Sequence, residues 1–132
     1  MTPPADPAAR TVAVVDDDST CTVVLDRILS RAGYRVAVFT SGEDVLAAVV
    51  ASEPVPDAVC LDLSLPGIDG METLRRLKAL VPSLPVIVFT ASADERASEV
   101  LAAGAFACVA KTGDWVTLTD EIRRAIRVQH SH

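Results

Sequence analysis

Five short apolar runs, each followed by a stretch of helical periodicity, leave this chain very few architectures. The runs are TVAVV (11–15), RVAVF (35–39), DAVCL (57–61), PVIVF (85–89) and ACVA (107–110). They are continuous, with no polar alternation, as expected of parallel strands covered on both faces. After the first run, Cys21, Val24, Leu25, Ile28, Leu29 and Ala32 recur at three and four residues on one helical face, and Gly33 supplies the stop. A second helix opens at Ser41, with Asp44 three residues on as a variant capping box and Val45, Leu46, Val49 and Val50 as its apolar side. A third follows Gly70, carries Met71, Leu74, Leu77 and Leu80, and is ended by Pro82 and Pro85. The fourth runs from about Ala93 to Ala103, with Ala97, Val100 and Leu101 inward and Gly104 as the stop. The fifth begins near Asp114 and presents Trp115, Leu118, Ile122, Ala125 and Ile126. Five strand-then-helix repeats joined by right-handed crossovers make a doubly wound α/β sandwich, with a parallel sheet covered by helices on both faces.

The 132 residues suit one domain, placed at 11–128 between loose tails at 1–10 and 129–132. A chain of this length buries roughly two-thirds of its unfolded surface, so it folds without a disulfide or structural metal. Its three cysteines, Cys21, Cys60 and Cys108, are scattered, and small buried hydrophobes are the simplest reading of them. They fit a reducing, cytoplasmic setting. The opening MTPPADPAAR has no apolar core of a signal peptide, and no stretch approaches a membrane span. A formal charge of -6 repels phosphate backbones and argues against direct nucleic-acid binding. The terminal His130, Ser131 and His132 offer weak metal ligands that a frayed end accounts for equally well.

In open parallel sheets, ligands bind beyond the carboxyl ends of the strands, so the residues after each run carry the functional signal. The first run ends in Asp16, Asp17 and Asp18, the third in Asp62, the fourth in Thr90 and the fifth in Lys111. Asp18 or Ser19 reads as a cap for the first helix. Asp16, Asp17 and Asp62 converge, and two like charges about 4 Å apart repel by roughly 4 kcal/mol at an effective dielectric near 20. Lys111 supplies one compensating charge. A hard divalent cation supplies two, and magnesium suits a site with few protein ligands that also takes a phosphate oxygen. Asp62 lies in CLDLSLPGIDG (60–70), whose Pro66–Gly67 and Asp69–Gly70 turns hold the loop over the sheet edge.

VVDDD, LDLSLPGIDG, VFTAS and AGAFACVAK, in that order at successive strand ends, resemble the receiver domain of two-component response regulators, the CheY-like family. The resemblance covers residues 11 to about 128. It implies a flavodoxin-like sheet of order 2-1-3-4-5 and a cytoplasmic signalling switch whose only chemistry is self-phosphorylation from a phosphodonor and autodephosphorylation. It implies Asp62 as phosphoacceptor, Asp17 as a direct magnesium ligand, Asp16 acting through metal-bound water and the Ser64 carbonyl as the third protein ligand. Thr90, the Ala91 N–H and Lys111 match the phosphoryl contacts. A histidine kinase or phosphotransfer protein would be the donor, and a downstream protein or fused output domain the reader of a face built from the fourth helix, fifth strand and fifth helix. Two positions depart from the family pattern. Cys108 stands where an aromatic is usual, with Phe106 two residues away, and Thr112 replaces the proline that often follows the lysine.

Two other readings fit part of the sequence. Asp16, Asp18 and Thr20 satisfy the Asp-x-Asp-x-Thr motif of haloacid-dehalogenase-type phosphatases, which would make Asp16 the nucleophile, with Thr90, Lys111 and Asp114 in the later slots. That reading needs a flap after the first strand, where helical periodicity already begins, and leaves Asp62 without a role. A phosphate-independent interaction module is the third reading, kept open by Cys108 and Thr112.

Overall fold

The computed structural model describes residues 10–51, 55–112 and 114–129. Five strands alternate with five helices: β1 (Thr11–Val15), α1 (Ser19–Arg31), β2 (Arg35–Phe39), α2 (Gly42–Ala51), β3 (Ala58–Leu61), α3 (Gly70–Leu80), β4 (Val86–Thr90), α4 (Ala93–Ala102), β5 (Ala107–Ala110) and α5 (Trp115–Gln129). All pairings are parallel, and the sheet order is β2-β1-β3-β4-β5. No described helix is long and apolar enough to cross a membrane. Residues 1–9 of the first tail, the terminal His130–Ser131–His132 and Gly113 lie outside the described residues, while the Arg10 carbonyl accepts the Arg35 N–H at 2.8 Å.

Strand side chains alternate across the sheet, so each strand feeds two cores. Ala13, Val15, Val59, Leu61, Val86 and Val88 face one side with Val45, Leu74 and Leu77 from α2 and α3. Val12, Val14, Ala58, Cys60, Ile87 and Phe89 face the other with Leu25, Leu29, Leu118 and Ile122 from α1 and α5. Burying each such Leu or Ile contributes about 1.5–3 kcal/mol relative to leaving it exposed. Cys21 and Cys60 are buried free thiols within this second core, in line with their reading as small hydrophobes.

The helix ends follow local chemistry. Asp18, Ser41, Asp69 and Asp114 each accept an N–H of the helix they precede, at 3.0, 3.1, 2.9 and 3.1 Å. At the end of α1, the Gly33 N–H donates to the Ser30 carbonyl and the Tyr34 N–H to the Leu29 carbonyl, both at 3.1 Å. That pair of bonds requires a left-handed residue, and Gly33 takes φ 98°. Gly70 has a different duty, because a Cβ there would collide with the backbone of Leu63 and the carbonyl oxygen of Asp62.

Several details depart from the sequence reading. Val50, Leu80 and Leu101, expected inward, are 67%, 48% and 48% exposed, and Ala32 is also exposed. β2 is an edge strand with Val38 exposed, so its continuous apolar run does not mean cover on both faces. β3 and β4 each begin one residue later than read, at Ala58 and Val86, and β4 extends to Thr90. α5 continues through Gln129, one residue into the stretch read as tail.

Candidate functional site

With sheet order β2-β1-β3-β4-β5, the chain leaves β1 toward one side and returns on the other, so the crevice opens between the carboxyl ends of β1 and β3. Backbone bonds fix these ends. The Asp16 N–H donates to the Phe39 carbonyl and the Asp62 N–H to the Val15 carbonyl, each at 3.0 Å, which extends the ladder to the two acids. The Lys111 N–H donates to the Thr90 carbonyl at 2.9 Å and does the same for the end of β4.

The three expected acids meet. Asp16, Asp17 and Asp62 each present a carboxylate oxygen within 4.8 Å of the others. Asp16 and Asp62 are 3% and 7% exposed, whereas Asp17 is open to solvent. The Lys111 ammonium crosses from β5 and donates to Asp16 Oδ2 at 2.7 Å and Asp62 Oδ2 at 3.3 Å. The remaining oxygens are also bonded: Asp18 N–H donates to Asp16 Oδ1 at 2.9 Å and Ser64 N–H to Asp62 Oδ1 at 3.3 Å. Asp18 itself caps α1.

Burial raises the Asp62 carboxyl above its ordinary value. The Ser64 N–H opposes this, the Asp16 charge adds to it, and the Lys111 charge opposes it. Burial would lower the Lys111 ammonium, but its hydrogen bond to Asp16 and the charges of Asp16 and Asp62 outweigh that and hold it above the usual lysine range. Burial, followed by a hydrogen bond to Asp16, pushes the Cys21 thiol up to about 12, so a neutral thiol lies beside the acids. Three convergent carboxylates with a single ammonium are a set of hard oxygen donors with charge to spare, and they fit a divalent cation such as magnesium.

Thr90 ends β4 at 1% exposure, with Ala91 exposed just beyond it. Its hydroxyl meets Ser92, whose N–H donates to Thr90 Oγ1 at 3.3 Å. Ser64 lies in the β3–α3 loop, two residues after Asp62, and Glu43 of α2 holds the same loop by accepting the Ile68 N–H at 3.3 Å. Trp115 opens α5 and packs on Phe89, ring centroids 5.6 Å apart. Of the side chains read from the strand ends, the structure brings Asp16, Asp17, Asp62 and Lys111 together. Sequence reasoning had no signal for the Cys21–Asp16 contact or the Glu43 tether, because both depend on how neighbouring elements pack.

α1 starts at Ser19, directly after the acids, so there is no room for the flap that the haloacid-dehalogenase reading requires. The described residues of the face formed by α4, β5 and α5 carry a groove of ≈ 470 Å³ lined by Leu101, Phe106, Cys108, Thr117, Glu121 and Arg124 among others. The Arg124 guanidinium lies over the Phe106 ring, 4.8 Å from its centroid.

Residues 12–123 match the family model described as the response regulator receiver domain. The chain is 39% identical over 116 residues to the transcriptional regulatory protein ZraR of Salmonella typhimurium, covering 87% of this chain and 26% of the relative. It is also 39% identical over 116 residues to the DNA-binding transcriptional regulator NtrC of the same organism, covering 87% of this chain and 24% of that protein. The chain therefore spans about a quarter of the length of these curated relatives. A solved CheY-like response regulator receiver domain protein from Methanospirillum hungatei superposes with a TM-score of 0.86 at 26% identity, over 94% of this chain and 98% of that one.

Proposed function

The chain belongs to the response regulator receiver family, and on that premise we propose that it accepts a phosphoryl group from phosphohistidine onto Asp62. A histidine kinase or phosphotransfer protein is the donor. The carrying observation is the Lys111 ammonium held at 2.7 and 3.3 Å from two buried carboxylates with a third beside them. A receiver needs such a site, because its nucleophile must stay ionised and in place while negative charge gathers around it.

In the proposed transfer, an Asp62 oxygen attacks phosphorus as the phosphorus–nitrogen bond to the donor imidazole breaks. The new bond is an acyl phosphate, and the departing imidazole nitrogen recovers a proton. Burial works against the ionised Asp62, and Lys111 and the Ser64 N–H work for it. Asp17, Asp62 and the Ser64 carbonyl would hold magnesium, with Asp16 acting through its water. That ion supplies charge neutralisation at the phosphoryl oxygens. Thr90, the Ala91 N–H and Lys111 take the phosphoryl oxygens, and Lys111 exchanges part of its bonding to Asp62 for them. The added charge of nearly two units then draws the ends of β4 and β5 toward the site and reshapes the α4–β5–α5 face. A downstream protein, or an output domain joined to this chain, reads that face and its groove. The setting is cytoplasmic, and loss of phosphate occurs by autodephosphorylation at the same site.

Intact-mass measurement after incubation with acetyl phosphate tests the reading. Wild type gains one phosphoryl group with magnesium and none with EDTA, and Asp62→Ala gains none. Phosphate on Asp62→Ala overturns the assignment. No modification of wild type in either condition favours the phosphate-independent module.

A further inference from the structure

Thr90 and Ser92 make two contacts with each other. The Ser92 N–H donates to Thr90 Oγ1 at 3.3 Å, and the two hydroxyl oxygens lie 3.2 Å apart, one donating to the other. Across the sheet Thr90 stands in register with Ala110, whose methyl offers no polar partner. Ser92 is also the N-cap residue of α4, a position where a serine hydroxyl ordinarily accepts the N–H two or three residues on. Here it makes no such bond among the described residues, with φ -101° and ψ 30°. The other four helices each have a side-chain cap, from Asp18, Ser41, Asp69 and Asp114. α4 is the exception, and the group that would cap it is engaged with Thr90. It is also lightly anchored, with Ala93 and Val100 as its buried residues, where α3 has five.

We propose that Ser92 is a positioning residue with two stations: its hydroxyl holds Thr90 in the unmodified protein and caps the first turn of α4 once Thr90 turns to the phosphoryl group on Asp62. The inference rests on the reading of Thr90 as a phosphoryl contact. Reaching the cap takes a rotation of the hydroxyl about Cα–Cβ and an opening of Ser92 ψ from 30° toward the extended backbone that Asp18 and Asp69 show at their caps. The exchange replaces one neutral hydrogen bond by another, so the two arrangements lie close in energy and a modest bias selects between them. The phosphoryl oxygens supply that bias by drawing Thr90 away. Modification at the end of β3 then reaches the start of α4 through two hydroxyls, without help from β5, where position 108 is a cysteine.

The exchange can be tested without phosphorylation. Thr90→Val removes the hydroxyl that engages Ser92 and frees Ser92 to cap α4. Amide exchange at Asp94 and Glu95, read by NMR on the whole unmodified chain, should slow about fivefold, equivalent to about 1 kcal/mol at 1.4 kcal/mol per tenfold. Thr90→Ser keeps the hydroxyl and the wild-type rate. Ser92→Ala alone leaves the rate unchanged, and added to Thr90→Val it abolishes the slowing. After treatment with acetyl phosphate and magnesium, wild type and Ser92→Thr gain protection at the same amides, and phosphorylated Ser92→Ala does not. An unchanged rate in Thr90→Val, or faster exchange in unmodified Ser92→Ala, overturns the proposal. If the Thr90→Val slowing appears but wild type takes no phosphate, the hydroxyl exchange is supported and the phosphoacceptor reading fails.

Discussion

Replacing Lys111 by methionine keeps most of the stem and removes the ammonium that faces Asp16 and Asp62. At 2.7 and 3.3 Å the gross attractions are roughly 6 and 5 kcal/mol at an effective dielectric near 20. Desolvation of the three charged groups offsets a large part of this. Removing one partner of a buried pair costs about 3–5 kcal/mol. The Lys111 side chain is 20% exposed, so the low end applies, and the expected loss is about 3 kcal/mol at pH 7. For a domain of this size that lowers the melting temperature by roughly 10 °C. Folding raises the Lys111 pKa, so its contribution is complete below the ordinary lysine value and fades as pH rises past it. On the acid side it fades as Asp62, whose carboxyl burial raises, takes up its proton before an ordinary aspartate does. The gap between the two proteins should therefore be widest from about neutral pH to pH 10 and shrink at both ends. Urea unfolding in EDTA, followed by far-UV circular dichroism across that range, measures it. Equal midpoints at pH 7, or a gap that persists unchanged at pH 3, would refute the reasoning.

Four further outcomes are expected. Asp62→Asn removes a charge that burial disfavours. It should unfold at higher urea than wild type at pH 7, and the advantage should vanish below the ordinary aspartate range, where the wild-type carboxyl is neutral in both states. Magnesium at a hundred times its dissociation constant should stabilise wild type by about 2.7 kcal/mol in thermal melts, a shift that Asp17→Asn loses. Gly70→Ala pushes a methyl into the Leu63 backbone and the Asp62 carbonyl and should cost about 1–3 kcal/mol in urea unfolding while slowing phosphorylation. Cys21 and Cys60 are buried, and burial holds both thiols protonated. A thiol reagent at pH 7 should leave both unlabelled over the time in which denatured protein reacts completely.

The five strands were legible because each is a continuous apolar run between turn residues, and the end bearing the candidate site was legible because polar residues follow those runs at the carboxyl side. Edges were less so. Asp57 was read into β3, yet its carboxylate accepts the Thr11 N–H at 2.8 Å just before that strand begins. Thr90 was read as the residue after β4, but its carbonyl takes the Lys111 N–H and it joins the sheet. Helical periodicity marked Leu80 and Leu101 as inward, since spacing gives a face but not how far the neighbouring element reaches across it. At the site, Asp16, Asp62 and Lys111 could be placed from order alone because topology brings strand ends together. The Thr90–Ser92 contact could not, because a bond between hydroxyls two residues apart depends on loop dihedrals that no sequence spacing encodes.

The most direct test of the account is to locate the phosphoryl group. Borohydride reduction of the acetyl phosphate-treated protein converts an aspartyl phosphate to homoserine, which peptide sequencing by mass spectrometry places to the residue. The account predicts homoserine at position 62 with magnesium and none in EDTA. Homoserine at position 16, or modification that ignores the metal, would contradict it.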